Sequence, residues 1–195
     1  ANAWSSLAPS AHAHSSPAWG VIENKFYVAG GIDNSNSVSA VLEVYDPATN
    51  TWTAKASMPV AGQAFASGVI NGKLYVTGGN DGASTTFNAL HVYDPASDTW
   101  TTEGTPMPTP RSSPAFGVFN DTLYVAGGGN ATANQLGTLE AYSAVGGTAP
   151  KSRILVAGGY TAIGVAPPTA EVYDEATGTW SATANTIAYG TIPTN

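Results

Sequence analysis

A recurring pair of glycines is the feature that most restricts how this chain can fold. The doublets, each preceded by a short apolar run, are Gly30-Gly31, Gly78-Gly79, Gly127-Gly128 and Gly158-Gly159. Each doublet is followed by a tyrosine, and these are Tyr45, Tyr93, Tyr142 and Tyr173. The first two intervals between doublets are nearly equal and the third is much shorter, and the tyrosines repeat the same three intervals. Two landmarks with the same spacing indicate tandem copies of one structural unit.

Each unit has the pattern of a small antiparallel sheet. In the second unit, short apolar segments separated by turn residues predict strands over residues 64–70, 73–77, 89–93 and 99–102. Asn71-Gly72 is a typical two-residue hairpin turn, and the Gly78-Gly79 doublet is expected to end the second strand. With 22 glycines and 13 prolines in 195 residues, the composition favours short strands and turns over helices.

Further residues recur in register with the doublets. Three tryptophans, each standing at one fixed distance past a repeat tyrosine, are Trp52, Trp100 and Trp180. A Tyr-Asp-Pro-Ala turn begins at Tyr45 and at Tyr93, and Met-Pro pairs occur at Met58 and Met107. This pattern resembles the kelch repeat over nearly the whole chain. The resemblance implies an all-β, kelch-type β-propeller with about four four-stranded blades, incomplete or closed by oligomerisation.

The repeat spacing also predicts the domain organisation. A single propeller domain is expected over residues 1–195, divided into segments at 1–14, 15–62, 63–111, 112–150 and 151–195. Trp4 precedes Trp52 by the interval that separates Trp52 from Trp100, so Ala3 to Leu7 are expected to form the fourth strand of a preceding blade. Because the last interval is short, the third unit should lack its fourth strand and the fourth its first. A true deletion and residues missing from the sequence both remain open.

Composition excludes several classes of function. The net charge is −7, and the 6 Lys and Arg are scattered, which argues against nucleic acid and anionic membranes. No apolar run reaches the length of a membrane span. The absence of cysteine excludes disulfides, thiolate metal sites and the cross-linked tyrosine of the copper radical oxidases that share the kelch resemblance. We therefore expect no enzymatic activity and no cofactor.

Several single residues invite a functional interpretation. His12 and His14 could coordinate a metal ion, but no third ligand is apparent, so they are expected to be solvated loop histidines. His91 is expected on a blade surface and Trp19 in the core, as are the repeat tyrosines and tryptophans between blades. Asn120 and Asn130 begin glycosylation sequons, which would be used only in a secreted eukaryotic protein.

Loops on one end of the blades are the expected binding surface, because strand alternation places the loops after the second and fourth strands together. The candidate binding residues there are Asp33, Asn34, Asn80, Asp81, Arg111, Asn134 and Tyr160. At the position of Arg111 the second unit has Gly62 and the first has His14. Arg111 could meet an acidic partner or be paired within the chain.

Three functions remain open at this point. The resemblance implies first a non-enzymatic module that binds a protein or peptide. A structural protein that assembles with copies of itself is the alternative, and a carbohydrate-binding propeller is the third. An extracellular or cell-surface location is expected, with a cytoplasmic one as the alternative.

Overall fold

The computed structural model describes residues 3–144 and three strand segments at 153–157, 170–174 and 179–182. All neighbouring strands in this part of the chain are antiparallel, and its described residues contain no helix. No membrane-spanning helix is therefore found within these segments. The prediction of an all-β fold is confirmed. The chain falls into two compact units, residues 1–147 and 148–195.

The first two sheets have the four strands that the repeat predicts. Blade 1 contains, in order across the sheet, β1 (Ala18–Ile22), β2 (Lys25–Ala29), β3 (Leu42–Asp46) and β4 (Thr51–Lys55). Blade 2 contains, in the same order, β5 (Gln63–Ile70), β6 (Lys73–Asn80), β7 (Leu90–Asp94) and β8 (Thr99–Thr102). The prediction that a doublet ends the second strand is wrong for β6. It continues through Gly78 because Phe65 and Gln63 of the longer β5 still pair with it.

The remaining sheets have three described strands each. Blade 3 is formed by β9 (Ala115–Phe119), β10 (Thr122–Ala126) and β11 (Leu139–Ser143), with β10 in the middle. The second compact unit, residues 148–195, contains β12 (Arg153–Ala157), β13 (Ala170–Asp174) and β14 (Thr179–Ala182), with β13 in the middle. Within it, Tyr173 pairs with Trp180, as Tyr45 pairs with Trp52 in blade 1. The fourth strand of blade 3 and the first strand of the fourth repeat unit were both expected to be missing. Neither is among the described strands.

The hairpin between the first two strands of each blade is a tight two-residue turn. Both central residues have positive φ, at Glu23-Asn24 (49° and 61°), Asn71-Gly72 (50° and 73°) and Asn120-Asp121 (44° and 57°). Positive φ at both positions defines the turn whose twist matches the flanking strands. The Asn-Gly signal therefore marks a conformation that the other two blades reach without glycine.

Adjacent blades of the first unit pack face to face. Because side chains alternate along a strand, each blade has two faces. We call the face of a blade that meets the next blade in the chain its trailing face. The trailing face of blade 1 contains Ala18, Gly20 and Ile22 on β1, and it packs against Leu74 and Val76 of blade 2. The opposite, leading face of blade 1 is made by Trp19, Val21 and Phe26. Their counterparts one repeat later, in blade 2, are the residues that meet blade 1.

The same interface joins blades 2 and 3. Ala66, Ile70 and Tyr75 of blade 2 pack with Leu123 and Val125 of blade 3 in a second buried cluster. Repeats that cannot bury their faces alone are stabilised in this way by their neighbours. The three sheets of the first unit are thus successive blades of an incomplete propeller.

The repeat tyrosine and tryptophan lie next to each other in this interface. Tyr93 is fully buried, with its ring centroid 5.2 Å from that of Trp100, and Tyr45 lies at the same distance from Trp52. Each tryptophan is half-buried, and the indole N–H of Trp100 donates to the Ala56 carbonyl of the preceding blade at 2.8 Å. The motif therefore joins neighbouring blades by packing and by a hydrogen bond.

Two expectations about tryptophans do not agree with the structure. Residues 3–7 form no strand, because no described third strand of a preceding blade is there to pair with them. Trp19, expected in the core, is 49% exposed. It lies on the leading face of blade 1, where Phe26 and Phe116 are its ring neighbours at 6.3 and 6.5 Å.

Candidate functional site

The loops at one end of the first three blades form the candidate site. These are the segments that follow the second strand, at 30–41, 78–89 (which includes the last three residues of β6) and 127–138, and the connections between blades, at 56–62 and 103–114. We call this set of loops the loop face. Backbone hydrogen bonds join its members, for example from Gly31 N to Gly62 O and from Gly79 N to Arg111 O, both at 2.8 Å. Loops bonded to each other present their tips in a fixed arrangement.

An acidic or amide side chain organises each loop after the second strand. Asp33, Asp81 and Asn130 stand at the same place in their loops, each shortly after its glycine doublet. The Oδ1 atom of Asp33 accepts from the backbone N–H of Ser35 and of Ser37, at 2.8 and 3.0 Å, and from the Ser35 hydroxyl. Such a side chain substitutes for backbone acceptors and fixes a turn. Asp33 and Asp81, predicted as binding residues, therefore lie on the loop face but support its conformation.

Hydrogen bonding also sets the charge of these carboxyl groups. The hydroxyl of Ser35 and the backbone N–H of Ser37 hold the pKa of Asp33 below its usual value. The Thr85 hydroxyl and backbone N–H do the same for the pKa of Asp81. Both groups are exposed enough for solvent to screen them, so they supply a constant negative charge and little stability.

The tips of these loops are exposed, neutral and polar. Asn34, Ser84 and Asn134 are exposed, and their side chains make no hydrogen bond within the described residues. Asn80 differs, because its Oδ1 accepts from Gly82 N at 2.8 Å and from the amide of Gln63 at 3.3 Å. The structure thus leaves Asn34 and Asn134 available to a ligand and uses Asn80 internally. Tyr160, the last predicted binding residue, lies outside the described residues.

Arg111 is a structural residue, not a contact for an acidic partner. Its side chain is fully buried, and its guanidinium donates to the carbonyls of Gly127 and Thr138 at 3.0 Å. It also pairs with Glu140 at 2.7 Å, which confirms the interpretation as an arginine paired within the chain. The planar guanidinium can bond several acceptors at once, which suits it to this buried position.

Arg111 occupies one of two positions that lie at the same place in blades 1, 2 and 3. We call a basic and an acidic side chain paired at these two positions a clasp. The first position, in the connection before each blade, holds His14, Gly62 and Arg111 in turn. The second position, on the third strand, holds Glu43, His91 and Glu140. In blade 1 the His14 ring bonds Glu43 Oε2 at 3.0 Å and the Gly30 carbonyl at 2.7 Å. In blades 1 and 3, therefore, a basic side chain ties the incoming connection to its own blade.

Two expectations about histidines are wrong in consequence. His14 is not a solvated loop residue, because its side chain is only 6% exposed beside Glu43. His91 is not on a blade surface, because it is 7% exposed and bonded to the Thr102 hydroxyl. Burial lowers the pKa of His91. His12 is half exposed, and its ring lies 3.4 Å from Glu43.

Blade 2 replaces the clasp with aromatic packing. A Cβ on Gly62 would lie 2.7 Å from Phe65 and 2.8 Å from Phe87, whose rings stack at 6.5 Å. The space of the basic side chain is therefore filled. The regular spacing of the repeat could have revealed this exchange, since His91 replaces glutamate in the same unit in which glycine replaces the base.

The remaining candidate residues form no metal centre in the described part of the chain. No group of three or more His, Cys, Asp or Glu residues there could hold a metal ion. Of the two sequon asparagines, Asn120 is exposed in the β9–β10 turn. Asn130 donates from its amide to the Pro110 carbonyl at 2.8 Å.

Comparison with known proteins agrees with this geometry. Residues 2–128 match the family model of the KLHDC2/KLHL20/DRC7 Kelch-repeats domain. Among solved structures, the chain is similar to the one described as "Structure of YjhT", with a TM-score of 0.73 and 18% identity. That similarity covers 93% of this chain and 68% of the other, and at this identity it shows the fold alone. No curated protein matches the chain in sequence.

Proposed function

Because the chain belongs to the kelch-repeat family, we propose that it is a non-enzymatic module that binds a protein or peptide through the loop face. One observation carries this proposal. Asp33, Asp81 and Asn130 hold three neighbouring loops in one conformation, and the tip residues Asn34 and Asn134 keep their side chains unbonded. Binding to loops that are already ordered costs less conformational entropy.

The chemistry of the tips indicates what kind of partner fits. Exposed amide and hydroxyl groups can hydrogen-bond a peptide backbone, and no Lys or Arg stands in the loops after the second strand of the first three blades. The charged side chains of Arg111 and Asp33, both on the loop face, are used within the fold. We therefore favour a partner recognised by hydrogen bonds and shape over one recognised by charge.

A carbohydrate ligand is the second candidate, because the same amide and hydroxyl groups can bond sugar hydroxyls. The described loops after the second strand offer no fully exposed aromatic ring that would stack on a sugar: Phe87, in the second loop, is only half exposed and stacks on Phe65. We rank a carbohydrate below a peptide for this reason. An extracellular location is part of either proposal, supported by the sequon at the exposed Asn120.

Selection from a displayed peptide library tests the proposal. Peptides retained by the chain would be measured by calorimetry against a variant with Asn34→Arg, Ser84→Arg and Asn134→Arg. We expect this variant to lose at least about tenfold in affinity, since bulky side chains block the tips. Ala48→Arg with Ala96→Arg, in exposed turns at the other end of the blades, is the matched control. Equal loss in both variants, or no selected peptide, would contradict the proposal, and retention only on a glycan array would favour a sugar.

A further inference from the structure

The ring of His14 lies between two hydrogen-bond acceptors. Its Nδ1 atom is 2.7 Å from the carbonyl oxygen of Gly30, and its Nε2 atom is 3.0 Å from Oε2 of Glu43. A backbone carbonyl can only accept a hydrogen bond, and the same is true of an ionised carboxylate. A neutral imidazole has one N–H and can satisfy only one of the two acceptors, whereas the imidazolium donates to both.

The surroundings of Glu43 favour the ionised carboxylate. The backbone N–H groups of Ala11 and His12 donate to its two oxygens, at 3.3 and 3.1 Å. Burial acts to raise the pKa of Glu43, but hydrogen bonds from His14 and His12 hold it below its usual value. An ionised Glu43 has no proton to give to Nε2, so the proton between the two side chains belongs to His14.

The same position in blade 3 holds a permanent positive charge. Arg111 donates to the carbonyl of Gly127 at 3.0 Å and pairs with Glu140 at 2.7 Å. These two acceptors stand at the repeat positions of Gly30 and Glu43. The imidazolium is the form of histidine that reproduces both the charge and the two bonds of the arginine.

We propose that His14 carries a proton on both ring nitrogens in the folded protein, and that loss of one proton loosens the first loop of the loop face, residues 30–41. The carbonyl that Nδ1 bonds belongs to Gly30, the first residue of this loop. With a single N–H, the ring leaves either this carbonyl or Glu43 without its donor, and a buried acceptor without a donor is costly. The consequence for binding rests on the proposed function, because the same loop carries Asn34 at its tip.

Other titratable groups around His14 set the pH range in which the clasp of blade 1 holds. Glu43 on β3 faces the ring, and His12, half exposed on the same connection, has a ring nitrogen 3.4 Å from the second oxygen of Glu43. Asp33, in the first loop, interacts electrostatically with His12. One bond of His14 is lost in base, when the ring gives up its second proton, and the ion pair is lost in acid, when Glu43 is protonated.

Two matched pairs of backbone hydrogen bonds report on the loops of blades 1 and 3. Ser15, next to the clasp of blade 1, and Ile32 exchange two bonds at 3.0 and 2.9 Å. Ser112 and Gly129 make the same two bonds in blade 3, at 2.9 and 3.0 Å. An arginine keeps its charge throughout the pH range in which histidine titrates, so the pair in blade 3 is an internal standard.

Nuclear magnetic resonance of the histidine rings tests the protonation state. The signals of His14 would be assigned by their loss in His14→Arg. We expect a proton on each of its two ring nitrogens at about pH 7.5, where an exposed histidine is mostly neutral. A ring with one protonated nitrogen at that pH, which is the form expected beside a protonated Glu43, would overturn the proposal.

Hydrogen exchange of the backbone amides, followed by the same method as the pH is raised, tests the effect on the loop. Corrected for the rate of an unstructured amide at each pH, exchange at Ile32 should become about tenfold faster relative to Gly129 once His14 has lost its proton. His14→Arg should abolish this change, because the guanidinium keeps its charge. His12→Ala, which removes the nearby ring but keeps the backbone N–H that bonds Glu43, should retain it.

Three results would contradict the role of His14. These are protection at Ile32 that follows Gly129 at every pH, a pH response that persists in His14→Arg, and one that disappears in His12→Ala. The comparison of Ile32 with Gly129 needs only the parent protein, so it decides the question even if His14→Arg does not fold. No ligand is used in any of these measurements, so their failure is distinguishable from a failure to select a peptide.

Discussion

At the scale of single residues, the two clasp positions are filled in two different ways, by an acid–base pair in blades 1 and 3 and by aromatic packing in blade 2. Arg111 with Glu140, and His14 with Glu43, bury a base beside an acid. Burial alone would raise the pKa of Glu43, but hydrogen bonds from His14 and His12 outweigh it and hold the pKa below its usual value. Blade 2 has Gly62 and His91 at the same positions and fills the space with Phe65 and Phe87.

Replacement of Arg111 should be strongly destabilising. Arg111→Ala removes a buried base and leaves Glu140 without its partner, for which we expect a loss of about 3–5 kcal/mol in the free energy of unfolding. Arg111→Met combined with Glu140→Leu should recover much of that loss, since no unpaired charge remains. Urea denaturation of the three proteins measures both effects. A single variant as stable as the parent would show that the clasp contributes little.

The depressed pKa of His91 predicts how stability responds to pH. Below its ordinary pKa of 6.5 the unfolded chain binds a proton that the folded chain resists. The contribution of neutral His91 is therefore fully present above pH 6.5 and declines as the pH falls towards the folded pKa. His91→Gln cannot titrate, so its melting temperature should depend less on pH between about pH 7.5 and pH 5 than that of the parent. Parallel curves for the two proteins would contradict this.

At the scale of strands and loops, short-range signals gave correct assignments. Asn71-Gly72 and the apolar runs around it predicted the hairpin of blade 2, because this turn needs positive φ at both residues. The end of β6 was placed too early because it depends on β5, which is eight residues long and continues to pair. The burial of His91 could not be read from its own strand, because its ring nitrogen is satisfied by Thr102 on the neighbouring strand.

The loop after the second strand should lose order when its organising side chain is removed. Asp33→Ala deletes the acceptor of three hydrogen bonds, so the amides of Ser35 and Ser37 should exchange about fivefold faster, equivalent to about 1 kcal/mol. Asp33→Asn keeps an acceptor oxygen and should stay near the parent. Asn34→Ala, which removes an unbonded side chain, is the control. Hydrogen exchange followed by mass spectrometry measures these amides, and protection unchanged in Asp33→Ala would be the opposing result.

At the scale of the whole molecule, one kind of interface joins successive blades of the first compact unit. The doublets, tyrosines and tryptophans predicted blades, and the short last interval predicted that each of the last two units lacks a strand. The exposure of Trp19 was not foreseen, because its place in an apolar strand predicts a core residue. Sequence periodicity identifies which residues would meet an adjacent blade, but not whether that blade is present.

Three glycines at one repeat position test this claim most directly. Gly20 and Gly68 face a neighbouring blade: a Cβ on Gly20 would lie 2.7 Å from Val69, and one on Gly68 would collide with Val118. Gly117, their counterpart, faces open space among the described residues. Urea denaturation of dilute protein should show that Gly20→Ala and Gly68→Ala each lose about 1–3 kcal/mol through overpacking, while Gly117→Ala loses nothing. Equal losses at all three positions, or none at any, would contradict one interface that joins blade 1 to blade 2 and blade 2 to blade 3.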